Sequence, residues 1–132
     1  MVRDAVGELP SGHAVLGMAD VVVANDPITG QGSNNAARRA ASYLDSVVAR
    51  GDQPFDRQWM RSAFDSCWSY ARHVTTWTDA MLRPPPRVLE ILGATAGKPA
   101  VVARFANRFG DPSGFQHWFL DPDKAAAYLA SV

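Results

Sequence analysis

Leu16-Gly17-Met18-Ala19-Asp20 and, shortly after it, Asn25-Asp26-Pro27-Ile28-Thr29-Gly30-Gln31-Gly32-Ser33-Asn34-Asn35-Ala36 are the stretches whose reading decides the fold. They describe a strand ending in an acid, a bridge, a glycine-flanked loop and the start of an alanine-rich helix. Gly30 and Gly32 let the backbone adopt positive φ and approach a ligand closely. The free N–H groups and positive dipole end of the following helix favour an anion or an electron-rich carbonyl. Ala36, Ala37 and Ala40 are small enough for that helix to lie close to a sheet or a ligand. Asp20, at the strand end, is placed to accept hydrogen bonds from a ligand hydroxyl. A Gly-x-Gly alone is more often a plain connector before a capped helix, and only the length of this string changes that balance.

On the N-terminal side, Val6 to Leu9 and Ala14 to Met18 flank the turn-forming Pro10-Ser11-Gly12, which predicts a hairpin. Val21 to Val23 is a β-branched run that extends the second strand or crosses beneath it. A two-stranded hairpin is marginal by itself, and no later segment can add strands. The β part therefore reads as the end of a sheet whose other strands lie elsewhere.

On the C-terminal side everything reads as helix. Ala36, Ala37, Ala40, Tyr43, Leu44, Val47 and Val48 make one apolar face over 36–50. Ser33 or Asn34 is expected to cap that helix, and Gly51 to end it. A longer helix is expected from Pro54, with Phe55, Trp59, Ala63, Cys67, Tyr70, Val74, Trp77 and Met81 as its stripe. Pro84-Pro85-Pro86 forbids its continuation. Shorter helices follow around 87–92, 99–109 and 122–132, the last announced by Asp121 as cap and Pro122 at the first position. The fold class expected is α+β, mostly α.

The chain has 132 residues, 47% of them hydrophobic and 20% charged, with a formal net charge of zero. That is one ordinary domain or part of a larger one. The balanced charge argues against nucleic-acid binding, which needs clustered Lys and Arg. The single cysteine, Cys67, allows no internal disulfide and fits a reducing compartment. No apolar run reaches membrane-spanning length and the N-terminus does not resemble a signal peptide, so a cytoplasmic protein without membrane contact is expected. His13, His73 and His117 lack metal-ligand spacing. Neither Ser33 nor Ser113 sits in a Gly-x-Ser-x-Gly elbow.

Residues 14–50 resemble the second flavin-binding signature of the p-hydroxybenzoate hydroxylase-like flavoproteins, in the form seen in the two-component styrene and indole monooxygenases. That form pairs a strand-end Gly-Asp with a downstream Asp-Pro-x-x-Gly-Gln-Gly-x-Asn. The likeness continues through His73-Val74-Thr75-Thr76-Trp77 and the Pro84–Pro86 break, covering nearly the whole chain. It implies FAD, reduced by a separate flavin reductase, as cofactor and a small aromatic alkene or indole as substrate. In such enzymes oxygen adds to the reduced flavin, and the peroxide formed transfers one oxygen atom. By resemblance Asp20 holds the ribityl chain, and Pro27 packs near the isoalloxazine. Gly30, Gln31 and Gly32 face the N1–C2=O edge of the ring, while Ser33, Asn34 and Asn35 belong to the helix start that orients the loop. No catalytic acid or base is implied. One departure is Ala19, where the signature has glycine before the acid; alanine fits a strand there.

The resemblance also implies domain limits: residues 1–51 as the C-terminal part of an FAD-binding, Rossmann-like domain, and residues 52–132 as a helical region packing on it. The Gly-x-Gly-x-x-Gly turn that holds the FAD pyrophosphate in such domains is missing, since Gly7 and Gly12 have the wrong spacing and no helix follows them. The chain is thus expected to be inactive alone, completed by a separate N-terminal half. The alternative expectation is a truncated, non-catalytic fragment or a small helical interaction module.

Overall fold

A computed structural model describes residues 1–132, and the chain divides into two compact units, Met1–Arg72 and His73–Val132. In the first, strands β1 (Val6–Glu8) and β2 (Ala14–Leu16) pair antiparallel, with Val6 opposite Leu16 and Glu8 opposite Ala14. The turn between them closes through Leu9 N–H to the His13 carbonyl at 2.9 Å, with Gly12 at φ 82°. Beyond Leu16 one more cross-strand bond forms, from Gly17 N–H to the Ala5 carbonyl at 2.7 Å, while the Gly17 carbonyl turns to the Tyr43 hydroxyl. Val21–Val23 neither extends β2 nor crosses beneath it as a strand. Residues Ala19–Val21 make a single 3-10 turn, and Val23 meets Val2 in an isolated bridge. Val22 and Val23 are thereby buried with Ala5, against Phe64 and Trp68.

Helix α1 (Gly32–Arg50) ends at Gly51, which takes φ 58°. It begins four residues before Ala36, and of the apolar face expected for it only Tyr43 is buried. Asn35, Arg39 and Tyr43 are buried, while Leu44 is 62% and Val48 72% exposed. Helix α2 (Arg57–Leu82) starts three residues after Pro54 because Asp56 caps it, its Oδ1 accepting from Trp59 N–H at 2.7 Å. Ala63 and Cys67 of α2 pack with Tyr43, whereas Phe55 lies outside the helix and is half exposed.

The second unit joins the end of α2 to α3 (Pro86–Ala94), α4 (Pro99–Arg108) and α5 (Pro122–Ser131). All three begin with proline, whose fixed φ suits a first helical position where no N–H partner is needed. Asp121 caps α5 through bonds of 3.1 Å from the Asp123 and Lys124 amides. A 3-10 segment over Pro112–His117, which the sequence did not announce, carries Phe115 into the core. Trp77, Val88, Ile91, Val101, Phe115, Trp118 and Phe119 form that core. The molecule is mostly helical with one two-stranded sheet. No helix is long and apolar enough to cross a membrane, and no group of His, Cys, Asp and Glu gathers for a metal.

Candidate functional site

The loop before α1 is built by local rules. Asp26 Oδ1 accepts from the Ile28 amide at 3.0 Å and so opens a 3-10 turn over Pro27–Thr29. Gly30 closes that turn in the left-handed region, φ 64°, with its N–H on the Pro27 carbonyl at 2.9 Å. The chain is then aimed so that Gln31 becomes the N-cap of α1 and the helix starts at Gly32. Ser33 and Asn34, expected as caps, instead lie inside the first turn, and α1 begins without a side-chain cap. The leading amides of a helix have no partner within it, so this start retains its affinity for a negative or electron-rich group.

An open cleft of about 310 Å³ lies in front of that start. Asp20, Pro27, Gly30, Gly32 and Ser33 line it, joined by Ala19, Asn25 and Ala36. Gln31 and Asn34 do not line it. Gln31 is buried, and its Oε1 accepts from the exposed Asn34 Nδ2 at 3.4 Å. A Cβ on Gly30 or Gly32 would meet nothing within 4 Å. Nothing in the chain itself therefore crowds position 32, where the backbone borders open space.

Ala19 corrects one expectation. It does not sit in a strand: it takes φ 55°, the only non-glycine residue at positive φ. An L-residue there costs about 1–2 kcal/mol that glycine avoids. This is a backbone reason for glycine at that position in the signature.

Two side chains hold this turn to α1: Arg39, which the sequence reading missed, and Tyr43, which it placed only on the apolar face. Arg39 Nη1 donates to the Ala19 carbonyl at 3.4 Å, and Tyr43 Oη donates to the Gly17 carbonyl at 3.1 Å. Burial pushes the Tyr43 phenol up to about 12, with Cys67 adding to the rise and Arg39 opposing it. Asn35, Arg39 and Tyr43 recur every four residues, the spacing of one helix face, and that periodic polar series is the signal that could have found them. Arg3 Nη1 also reaches the Asp20 and Val21 carbonyls, at 3.0 and 3.1 Å, which fixes the backbone that carries the acid.

No protein-family model matches the chain. The chain is 25% identical over 124 residues to styrene monooxygenase StyA of Pseudomonas fluorescens, a match covering 92% of this chain and 30% of the relative. It is 24% identical over 130 residues to styrene monooxygenase StyA of a Pseudomonas species, covering 97% of this chain and 31% of that protein. The chain thus spans about three-tenths of the length of these relatives. The likeness supports a relationship to the flavin monooxygenases and singles out no member among them.

Proposed function

We propose that this chain is the C-terminal part of an FAD-dependent monooxygenase of the styrene/indole type, and that the Asp20–Gly32 cleft receives the ribityl and isoalloxazine portion of FAD. The observation carrying this reading is an uncapped 19-residue helix opening onto a cleft that an acid and two glycines border. Asp20 accepts from ribityl hydroxyls, Pro27 packs on the ring, and Gly30 and Gly32 admit its edge to the amides of α1. Ser33 borders the ring edge, while Gln31 and Asn34 support the loop. The flavin supplies the oxygen chemistry, delivered reduced by a separate reductase, and the residues here bind and orient it. Residues 1–51 correspond in this reading to the end of an FAD-binding domain and residues 52–132 to the helical region after it. The substrate is a small aromatic alkene or indole, and a separate N-terminal half supplies the pyrophosphate turn. A small helical interaction module is the second reading, favoured by the exposed apolar residues Leu44, Val47 and Val48 on α1.

Flavin fluorescence quenching by the purified chain, with oxidised and then reduced FAD, tests the proposal. Saturable binding is expected, tighter for the reduced, negatively charged ring. Gly32→Leu is expected to fold, because its side chain enters open space, yet to weaken binding about tenfold or more, a loss of ~1.4 kcal/mol. Asp20→Asn is expected to weaken it less. Unchanged affinity in both variants would sink the assignment. Binding seen only after adding the N-terminal half of a relative would assign the cleft to a composite site.

A further inference from the structure

A second cavity, of about 230 Å³, lies between α1 and α2 and shares no lining residue with the flavin cleft proposed above. We propose that Arg38 and Arg39, with Asn35, Ser42, Ser66 and Tyr70, form a binding site for a small oxyanion, a phosphate or carboxylate group. The residues come from consecutive turns: Asn35, Arg38, Arg39 and Ser42 follow helical spacing on α1, and Ser66 and Tyr70 stand four apart on α2.

Arg39 carries the argument. It is only 2% exposed, lines the cavity, and its Nε has no hydrogen-bond partner. Neither Arg38 nor Arg39 takes part in an ion pair. The contacts Arg39 does make are a 3.4 Å bond from Nη1 to the Ala19 carbonyl and the Phe64 ring 5.6 Å from its guanidinium carbon. Both are weak compensation for a buried cation, which ordinarily keeps a counter-charge. Arg38 stands beside it with its guanidinium 4.6 Å from the Tyr70 ring centre, a stacking that holds the planar fork in place. No acid lines the cavity. Two forked cations, hydroxyls and an amide are the donor set that a phosphate or carboxylate takes in bidentate fashion. The volume admits a tetrahedral oxyanion together with a few waters, at roughly 30 Å³ each.

The inference does not depend on flavin binding, so the two tests fail separately. Titration calorimetry of the full chain with inorganic phosphate, and separately with succinate, at constant ionic strength reads the site directly. Thermal unfolding under the same conditions is the second readout. Saturable binding of one anion is expected, with a matching rise in Tm, and the preferred anion tells phosphate from carboxylate. Arg38→Met is the main variant, because Arg38 is exposed and its loss removes only the stacking on Tyr70 from the fold. It is expected to weaken binding about tenfold or more. Arg39→Met is expected to abolish binding. Should it fail to fold, Arg38→Met and Ser66→Ala still decide the matter. No saturable heat with either anion, or an equal Tm rise in wild type and Arg38→Met, would overturn the proposal and leave Arg39 as a buried cation held by a carbonyl and a ring.

Discussion

Gly17 sits where the hairpin hands over to the cleft, its N–H on the Ala5 carbonyl and its own carbonyl taking the Tyr43 hydroxyl. A Cβ there would fall 2.4 Å from Cγ2 of Val22, a fully buried valine with no freedom to swing away. Gly17→Ala is expected to lose about 1–3 kcal/mol to overpacking, read as a lower urea midpoint. An unchanged midpoint would mean that the turn relaxes. Tyr43 gives a pH-dependent counterpart. Its folded pKa is raised from 10.0 to about 12, so the unfolded chain releases this proton first. Its contribution to stability is complete below pH 10 and is lost as pH rises through about 12. Tyr43→Phe should remove that part of the alkaline slope and cost about 1 kcal/mol at neutral pH for the lost hydrogen bond. Identical alkaline unfolding curves for the two proteins would refute this.

At the scale of elements, the starts of the three C-terminal helices were the most legible feature, each falling within a residue of its expected place. Pro86, Pro99 and Pro122 open α3, α4 and α5 as their fixed φ dictates. Asp121 caps α5, and the backbone bond from Lys124 holds its carboxyl below the usual range, with the Lys124 charge and the Asp123 amide assisting. Because that pKa is lowered in the folded chain, the cap acts above the ordinary carboxylate pKa and fades as pH falls through its lowered value. The protection of the first turn of α5, measured against intrinsic exchange at each pH, should therefore fall in acid. Asp121→Asn should keep the protection but flatten its pH dependence, and Asp121→Ala should lose both. Equal protection in all three would dismiss the cap. The start of α1 was less legible. Gly30 at positive φ moved it ahead of both candidate caps and left the helix uncapped at the cleft.

Across the whole molecule, the two units have separate cores, and Leu44, Val47 and Val48 of the α1 stripe join neither. Leu44, Val47 and Val48 are exposed, Val48 by 72%. A surface of this kind promotes association. Leu44→Lys together with Val48→Lys should change stability by no more than about 0.5 kcal/mol per site. The same pair should reduce self-association seen by light scattering. Marked destabilisation would mean that the stripe is covered in solution.

Local chemistry was readable from the sequence because it acts through near neighbours: proline starts, the Asp121 cap, the Gly51 stop, the Pro10–Gly12 turn and the glycine-bordered loop. Tertiary structure alone decided which face of α1 is buried. The apolar pattern pointed to Tyr43, Leu44 and Val48 together, yet of these only Tyr43 is buried, its hydroxyl on the Gly17 carbonyl. Asn35 and Arg39 are buried beside it, and Arg39 reaches the Ala19 carbonyl, so the helix is turned toward its polar side. Long-range packing also set the positive φ of Ala19 and brought Phe115 into the core from the segment between the expected helices around 99–109 and 122–132. Hydrogen bonds between residues some twenty apart leave no periodic trace in a sequence, which is why the cleft's loop was legible and the residues that hold it in place were not.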